Sequence, residues 1–324
     1  MKKSKVIYYP LDKRDSTSWW RICGVLPYIQ HEKFDLIDIS ENKIFDWTIY
    51  AGKDIFIIQR PFSQDHATLI TAAKNAGLKV IIDLDDDLWN VPTWNPTYTM
   101  YKQHQGTLNT CVSLADEVWV STEAIKKQVQ KVNPSIQIIP NALNDYQFKL
   151  KDKRKFNFNK RVLWRGGSSH AADVEEHEDY LVNLINKKQD FTFTFIGDVF
   201  HRIARKTGDN CEIMYGLTIV EFFRYLNNLN PSAMFFPLQD NLFNNGKSNI
   251  SFIESSYAGS AFFGMNTFEQ FNKPGVTAIT SMHEYLDNPE YMSKQNSEAW
   301  EYVKEHLLLS SINKLRTERI LANL

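Results

Sequence analysis

Short apolar runs alternate with amphipathic stretches along the whole chain. In the first half, the runs predict strands over 6–9, 54–59, 79–84, 117–121 and 136–140, with helices near 18–30, 64–76, 98–112 and 122–132. The second half repeats the pattern, with strands over 161–164, 191–197, 212–215, 233–238 and 261–265 and helices near 172–188, 218–229, 248–258 and 289–307. Continuously apolar strands are typical of parallel sheets covered by helices on both faces. The pattern therefore predicts an α/β protein with two doubly wound domains.

A basic segment, YQFKLKDKRKFNFNKR, joins the two series of elements over 146–161. Its lysines and arginines, with Phe148, Phe156 and Phe158 between them, would suit a nucleic-acid-binding strip. A solvated connector between two domains explains the same composition, and we favour that interpretation. At 324 residues, the chain exceeds the size at which one hydrophobic core usually stops growing, so a connector is expected.

Composition narrows the classes of protein to be considered. The 37 basic and 38 acidic residues leave a formal net charge of −1, which argues against a nucleic-acid coat protein. The three cysteines, Cys23, Cys111 and Cys211, form neither a disulfide framework nor a metal-ligand spacing, which favours a reducing compartment. The start, MKKSKVIYYP, is too short for a signal peptide, and no later run reaches the roughly 18 apolar residues of a membrane span. We therefore expect a soluble, cytoplasmic protein.

Glu254 is the most informative single residue, because it falls on the apolar stripe of the helix predicted over 248–258. An unpaired buried carboxylate is unfavourable by several kcal/mol. It must be protonated, paired with Lys247 or Arg165, or bound to a ligand. The two adjacent hydroxyls of a ribose would satisfy one carboxylate. Ligands of open α/β sheets bind beyond the carboxyl ends of the strands, so the cleft between the two domains is the expected site.

Two loops predict a binding site for phosphates. The sequence GKS at 246–248 is not part of a P-loop, because Asn241 occupies the position of the required earlier glycine. Lys247 nevertheless precedes a predicted helix, whose N-terminus attracts anions. In VLWRGGSSHAADVEE, over 162–176, Arg165 ends a strand and two glycines allow close approach of the backbone. Asp173, in the first turn of the next helix, fits the helix dipole and needs no functional role. Two cations and two helix N-termini that meet in one cleft would suit a pyrophosphate.

Four aspartates, Asp83, Asp85, Asp86 and Asp87, lie at or just after the strand predicted over 79–84. Like charges this close require a cation, a ligand rich in hydrogen-bond donors, or water between them. Oxygen ligands suit Mg²⁺ or Mn²⁺. The hydroxyls of a polyol acceptor and a solvated acidic turn are the alternatives, and the spacing leaves all three open.

The loop after the first strand, RDSTSWWRICGVLPYI over 14–29, occupies the position of the first ligand loop in a doubly wound domain. Ser18 belongs to a group of hydroxyls that could cap the next helix. Arg21 in the first turn of that helix is unfavourable with respect to the dipole, which indicates an anionic partner.

Several motifs, in this order along the chain, resemble those of retaining GT-B glycosyltransferases of the glycosyl transferases group 1 type, in the compact form of phages and bacteria. They are DLDDDLWNVP, ADEVWVST, IIPNALN, RGGSSHAAD, FIGD and FNNGKSNISFIESSYAG. The resemblance implies two Rossmann-like domains facing across a cleft. Their predicted extents are 1–148 for an acceptor domain, 149–160 for a linker and 161–308 for a nucleotide-sugar donor domain, with a helix over 309–324 that returns to the first domain.

The resemblance also implies roles for individual residues. Glu254 matches the second carboxylate of the family's E-x7-E pattern, but Gly246 occupies the position of the first carboxylate. Arg165 matches the family's donor-phosphate arginine, but the lysine that usually follows it is missing, and His170 lies nearby. The full set of expected site residues is as follows: Arg165, Lys247 and Asp83 for catalysis; Gly166, Gly167, His170, Gly246, Ser248, Asn249 and Glu254 for the donor; Ser18, Arg21, Asp85, Asp86 and Asp87 for the acceptor.

The implied reaction moves a sugar from a nucleotide-sugar to a hydroxyl group with retention of configuration, and a UDP- or GDP-sugar is the expected donor. Neither a metal nor another cofactor is expected. The acceptor would be a glycan or a hydroxymethylated base of phage DNA. Two alternatives remain open: a metal-dependent GT-A transferase that uses the aspartates from Asp83 to Asp87, and a nucleotide-sugar-binding protein without turnover.

Overall fold

A computed structural model describes residues 2–42, 46–150 and 156–324. The first half forms a sheet of six parallel strands in the order β2-β1-β3-β4-β5-β6. The strands are β1 (Ser4–Tyr9), β2 (Phe34–Asp38), β3 (Ile55–Gln59), β4 (Lys79–Leu84), β5 (Glu117–Val120) and β6 (Ile136–Ile138). Every residue of β3 is buried, as expected for a central strand covered on both faces.

The second half forms another sheet of six parallel strands, in the order β12-β11-β10-β7-β8-β9. The strands are β7 (Arg161–Arg165), β8 (Thr192–Ile196), β9 (Cys211–Met214), β10 (Ala233–Phe236), β11 (Ala261–Gly264) and β12 (Val276–Ala278). The strand order reverses between β7 and β10, and in the first sheet it reverses between β1 and β3. The predicted pair of parallel α/β units is therefore confirmed.

Helices cover both faces of each sheet. Those of the first half are α1 (Ser16–Ser18), α2 (Gln64–Asn75), α3 (Tyr98–Gln103), α4 (Gln105–Leu114) and α5 (Glu123–Val129). Those of the second half are α6 (Ala171–Lys187), α7 (His201–Ala204), α8 (Ile219–Leu229), α9 (Leu242–Asn245), α10 (Ile250–Ala258), α11 (Met282–Tyr285), α12 (Pro289–His306) and α13 (Leu309–Ala322). Within the described ranges, no helix is both long and apolar enough to cross a membrane.

The helix predicted near 18–30 does not form as one continuous α-helix. In place of a single helix near 18–30, the chain forms α1, a π-helical turn over Trp19–Cys23 and a 3₁₀ turn over Leu26–Tyr28. Pro27 has no N–H to donate and its ring collides with the preceding turn, so an α-helix cannot continue through it. The altered turns bury Arg21 inside the first unit, beside Asp83, whereas Trp20 packs into the core of the second unit.

The C-terminal helix packs on the first sheet although it follows the second in sequence. Leu309, Ile312 and Ile320 share a core with Trp119 of β5. Glu117 of the same strand accepts hydrogen bonds from the last two turns of α13. The chain therefore crosses twice between the two units, once near residue 150 and once near 308.

The phenylalanines of the basic segment face inward. Phe148 is buried in the core of the second unit, and Phe156 and Phe158 pack against the same core. Residues 151–155, within the predicted linker, lie outside the described residues. Phenylalanines that pack into a core do not stack on bases, which favours the connector over the nucleic-acid strip.

Candidate functional site

A cavity of about 330 Å³ lies between the two sheets, beyond the carboxyl ends of their strands. The first unit contributes Asp15, Thr17, Arg60, Asp85, Asp86 and Tyr101 to its wall, and the second contributes Arg165, Gly167, His170, Phe236, Lys247 and Ser248. These segments follow β1, β3, β4, β7 and β10, so the cavity lies where the strand order of each sheet reverses. Open α/β sheets bind ligands at this position.

Arg165, the last residue of β7, forms a bidentate ion pair with Glu254 of α10. Its Nε lies 3.0 and 2.9 Å from the two carboxylate oxygens, and its Nη2 donates to Oε1. Glu254 is fully buried, whereas 29% of the Arg165 side chain remains exposed at the cavity. Burial raises the pKa of Glu254, and the positive charge of Arg165 opposes this effect. The carboxylate on the buried helix face therefore holds Arg165 at the cavity wall, one of the pairings that the sequence left open.

His170 follows the glycine turn after β7 and lines the same cavity. Its Nδ1 lies 2.8 Å from Oδ2 of Asp173, and its ring meets the Phe236 ring edge to face at 5.1 Å. Asp173 is fully buried and also accepts hydrogen bonds from the backbone N–H of Gln239 and from Nδ2 of Asn244. Asp173 therefore has hydrogen-bond partners in addition to its place at the start of the helix.

Lys247 extends into the cavity from the loop before α10. Its Nζ lies 3.2 Å from Oδ1 of Asp86 in the first unit and 4.5 Å from the centre of the Phe243 ring. Oδ2 of Asp86 accepts from Nη2 of Arg60 at 2.5 Å. Burial opposes the charge of Asp86, but Lys247 and Arg60 outweigh it and lower the pKa of Asp86 to about 2.

Arg60 connects two of the aspartates that follow β4. Its Nε donates to Oδ1 of Asp85 at 2.5 Å, beside the bond to Asp86. Burial nevertheless raises the pKa of Asp85. Arg60 has a left-handed backbone with φ of 44°, a conformation that is unfavourable by about 1–3 kcal/mol for a side chain of this kind. No pattern in the sequence had singled out Arg60, because its role depends on contacts with residues 25 positions away.

The loop that carries Lys247 also joins the two units. The carbonyl of Gly246 accepts from Oγ1 of Thr122 at 3.3 Å, and Ser248 Oγ accepts from Nδ2 of Asn141 at 2.8 Å. A Cβ at position 246 would lie 3.0 Å from Cβ of Asp87, so a side chain there would require Asp87 to move by a few tenths of an ångström. The loop is therefore the principal contact between the units beside the cavity.

The structure divides the expected site residues into two groups. Those that line the cavity are Arg165, Gly167, His170, Lys247, Ser248, Asp85 and Asp86. Those placed outside its wall are Asp83, Gly166, Gly246, Asn249, Glu254, Ser18, Arg21 and Asp87. Gly166 packs against His170, and Asn249 lines a second cavity on the other side of the Lys247 loop.

Arg21, expected at the acceptor, and Asp83, expected in catalysis, pair with each other and lie outside the wall of the cavity. Both side chains are fully buried and form a bidentate pair, with distances of 2.9 and 2.8 Å. Arg21 also donates to the carbonyl of Ile139 at 2.7 Å. The anion that Arg21 requires is therefore Asp83, and neither residue is available to a substrate. Ser18 is likewise buried and donates to Oε1 of Gln59 at 2.7 Å.

The aspartates after β4 do not converge on one point. Asp83 pairs with Arg21, and Asp85 and Asp86 pair with Arg60. Asp87 accepts from the backbone N–H of Trp89 and from Nδ2 of Asn90 within its own turn. In the part of the chain that the structure describes, no three His, Cys, Asp or Glu side chains are placed to hold a metal ion. The cationic partners of Asp83, Asp85 and Asp86 are side chains of the protein.

Solved structures identify the architecture. No protein-family model matches the sequence, and no curated protein matches it either. TarM of S. aureus superposes with a TM-score of 0.60 at 15% identity, over 83% of this chain and 55% of TarM. The pneumococcal O-GlcNAc transferase GtfA, in complex with UDP and GlcNAc, gives 0.56 at 10% identity, over 83% of this chain and 57% of GtfA.

A putative UDP-N-acetylglucosamine 2-epimerase from Listeria monocytogenes gives a TM-score of 0.56 at 12% identity, over 92% of both chains. The present chain thus spans just over half the length of TarM and GtfA, and nearly all of the epimerase. The predicted class, two Rossmann-like domains in the GT-B arrangement, is confirmed by these superpositions.

Proposed function

We propose that this protein transfers a sugar from a nucleotide-sugar to a hydroxyl acceptor. The observation that carries the proposal is the convergence of Arg165, Lys247 and His170 on one cavity between the two domains of a GT-B fold. Three nitrogen-bearing side chains on one wall suit a diphosphate, whose negative charge increases as the sugar–phosphate bond breaks. The GtfA complex with UDP and GlcNAc supports a UDP-sugar as the donor.

The second domain would bind the donor, because it contributes all three of these side chains. Glu254 would act through Arg165, by fixing the guanidinium, and its assignment to the ribose stays a prediction. The opposite wall, which includes Asp15, Thr17 and Asp85, offers oxygen atoms to the hydroxyls of an acceptor. A glycan-type hydroxyl fits this wall better than a DNA base, because the phenylalanines of the basic segment pack in or against the core and are not free to stack on bases.

Retention of configuration and independence from metal belong to the same proposal. The departing diphosphate would be stabilised by Arg165 and Lys247, with its own oxygen helping to deprotonate the acceptor. Asp85 and Asp86 already have protein cations as partners, which supports a reaction without a metal ion on this wall. Transfer that persists in EDTA is the expected result, and loss of transfer in EDTA with recovery in Mn²⁺ would favour the metal-dependent alternative.

Release of UDP from UDP-GlcNAc, with mass spectrometry of the products, tests the proposal. Arg165→Ala and Glu254→Ala should each reduce turnover by about a hundredfold, the equivalent of one or two charged hydrogen bonds. Arg161→Ala is the matched control, because Arg161 begins the same strand and lies 4.0 Å from Glu212, away from the cavity. Full activity in either cavity variant would remove the assignment. Binding of UDP-GlcNAc without any turnover would favour the nucleotide-sugar-binding protein.

A second candidate is favoured by the length of the match to the Listeria protein, over 92% of both chains. In that case, the same diphosphate site would hold UDP-GlcNAc while the sugar is converted to its 2-epimer. The products separate the two functions: a transferase yields UDP and a glycosylated acceptor, whereas an epimerase yields a UDP-sugar inverted at C2. Nuclear magnetic resonance of the reaction mixture distinguishes them directly.

A further inference from the structure

Asp173 has more hydrogen-bond partners than a carboxylate in a first helical turn requires. Its Oδ1 accepts from the backbone N–H of Gln239 at 2.8 Å and from Nδ2 of Asn244 at 2.9 Å, and its Oδ2 binds Nδ1 of His170 at 2.8 Å. Gln239 follows β10, Asn244 lies in α9, and His170 precedes α6. Asp173 therefore ties three segments together beneath the cavity and fixes the orientation of one imidazole ring.

The ring of His170 is held on several sides. Asp173 engages Nδ1, Phe236 packs against the ring, and Gly166 lies so close that a Cβ there would be 3.3 Å from Cδ2 of the ring. A carboxylate beside Nδ1 keeps the proton on that nitrogen, so Nε2 is the atom that titrates. Within the described residues, Nε2 forms no hydrogen bond, and 12% of the side chain is exposed, at the cavity.

The charges around His170 keep the ring neutral in the free protein. Burial lowers the pKa of His170, Asp173 opposes this effect, and the nearby cations Lys247 and Arg165 lower it further. Across the cavity, the first domain presents Asp15, Asp85, Asp86 and Arg60, and both Asp85 and Asp86 are already paired with cations. A ligand with two negative charges in this cavity would offset the nearby cations and favour the protonated ring of His170.

We propose that Asp173 is a positioning residue, which holds His170 so that Nε2 takes up a proton from solvent when the diphosphate of a nucleotide-sugar binds beside Arg165 and Lys247. The inference rests on the proposed donor site and specifies how that site recognises its ligand. Opposite charge within about 4–6 Å favours the charged form of an imidazole, so the bound diphosphate favours the protonated ring of His170. The imidazolium then donates to a phosphate oxygen while Asp173 stabilises the charge from the other side.

Titration calorimetry with UDP-GlcNAc at pH 7.5, in two buffers that differ in ionisation enthalpy, counts the protons taken up. The diphosphate of a nucleotide-sugar is a diester without a group that titrates near neutral pH, so the proton must come to the protein. The wild-type protein should take up between about 0.5 and 1 proton, and His170→Gln should take up none and bind at least about tenfold more weakly. His283→Gln, which removes an exposed histidine bonded to the Thr280 carbonyl, is the control and should match the wild type.

Asp173→Asn separates positioning from simple packing. The amide keeps Oδ1 for Gln239 and Asn244, but its NH₂ group now faces Nδ1, so the ring cannot become an imidazolium without two donors facing each other. We therefore expect binding without proton uptake in this variant. If it fails to fold, His170→Gln still decides the question.

Wild-type binding without proton uptake, or the same uptake in His170→Gln, would overturn this inference and leave the donor site intact. Absence of any binding of UDP-GlcNAc or UDP to the wild type would instead remove the proposed function, and this inference with it. The calorimetric experiment therefore separates the two outcomes, because a heat of binding is observed in the first case and not in the second.

Discussion

Lys247 of the second domain and Asp86 of the first form an ion pair across the cavity, with Nζ and Oδ1 3.2 Å apart. Each side chain is 15% exposed, so the pair is only partly screened by water. Lys247 is also the cation that the proposed diphosphate would meet. The contact that links the two domains and the contact that would bind the ligand therefore use the same ammonium group.

Substitutions on the two sides of this pair should affect nucleotide binding in opposite directions. Lys247→Met should weaken UDP binding at least about tenfold, because it removes a charged hydrogen bond. Asp86→Asn should leave binding unchanged or strengthen it, because Asp86 competes for Lys247 and repels the diphosphate. Calorimetry measures both. Lys294→Met is the control, since Lys294 lies in an exposed pair on α12, 72% exposed, and should bind UDP as the wild type does. Equal weakening in the two cavity variants would show that the ion pair is required for binding.

Removal of Arg165 should make stability depend on pH. Arg165→Ala leaves the fully buried Glu254 without a cation, which should lower the free energy of unfolding by about 3 kcal/mol at pH 8. The pKa of Glu254 is already raised by burial in the wild type, and it should rise further in the variant. A carboxyl with a raised folded-state pKa holds its proton longer when folded, so stability falls as pH rises above the unfolded value. The loss should therefore be smaller at pH 5 than at pH 8.

Urea unfolding at the two pH values checks this expectation. Arg161→Ala, which removes a surface arginine 41% exposed, is the control and should shift stability by less than about 0.5 kcal/mol at both values. A loss in Arg165→Ala that is independent of pH would mean that Glu254 finds another partner.

The periodicity of apolar residues predicted most of the sheets but missed two edge strands. In β2, FDLID, Phe34 is the one buried residue. In β12, which has three residues, Thr277 is the one buried residue. Short, half-exposed edge strands lack the continuous apolar run that marked β3, so their existence depends on pairing with a neighbour. The central strands are readable from the sequence alone, whereas these two edge strands carry no such run.

The candidate site was predicted unevenly for a similar reason. Arg165 and His170 could be named because a strand end and a glycine turn mark their position. The pairing of Arg21 with Asp83 joins residues 62 apart, which only the folded sheet brings together. Asp173 carried a sufficient local explanation, the helix dipole, and its bonds to Gln239 and Asn244 have no local signature.

Gly197 should tolerate no side chain, whereas Gly106 should. The φ of Gly197 is 133°, and a Cβ there would lie 2.0 Å from the carbonyl oxygen of Gly166, in the turn that carries His170. Gly197→Ala should lower the free energy of unfolding by about 3 kcal/mol or more and weaken UDP binding, because the turn must move. Gly106→Ala, in α4 with open space around the new Cβ, should keep stability or raise it by up to about 1 kcal/mol. Thermal unfolding and calorimetry of the matched pair test this, and normal binding in Gly197→Ala would contradict it.

The C-terminal helix should be held to the first domain most strongly above pH 5. Nε and Nη2 of Arg319 lie 3.0 and 2.5 Å from the two carboxylate oxygens of Glu117, and Nδ2 of Asn323 lies 3.0 Å from one of them. Burial opposes the charge of Glu117, but these bonds, with one from Trp119, outweigh it and lower the pKa of Glu117 below its ordinary value. A carboxyl with a depressed folded-state pKa contributes stability above its unfolded pKa and loses it as pH falls through the folded value.

Glu117→Gln should therefore lower the free energy of unfolding by about 1–3 kcal/mol at pH 7, because it weakens hydrogen bonds to a charged group. The difference from the wild type should shrink as pH falls below the ordinary glutamate pKa of about 4.3 and disappear as pH falls through the lower folded-state pKa. Urea unfolding at pH 7, 5 and 3.5 measures the difference. Glu298→Gln, which removes an exposed carboxylate 3.9 Å from Lys294, should change stability by less than about 0.5 kcal/mol at every pH. A constant difference between Glu117→Gln and the wild type would show that packing, not the ionised carboxylate, holds α13 in place.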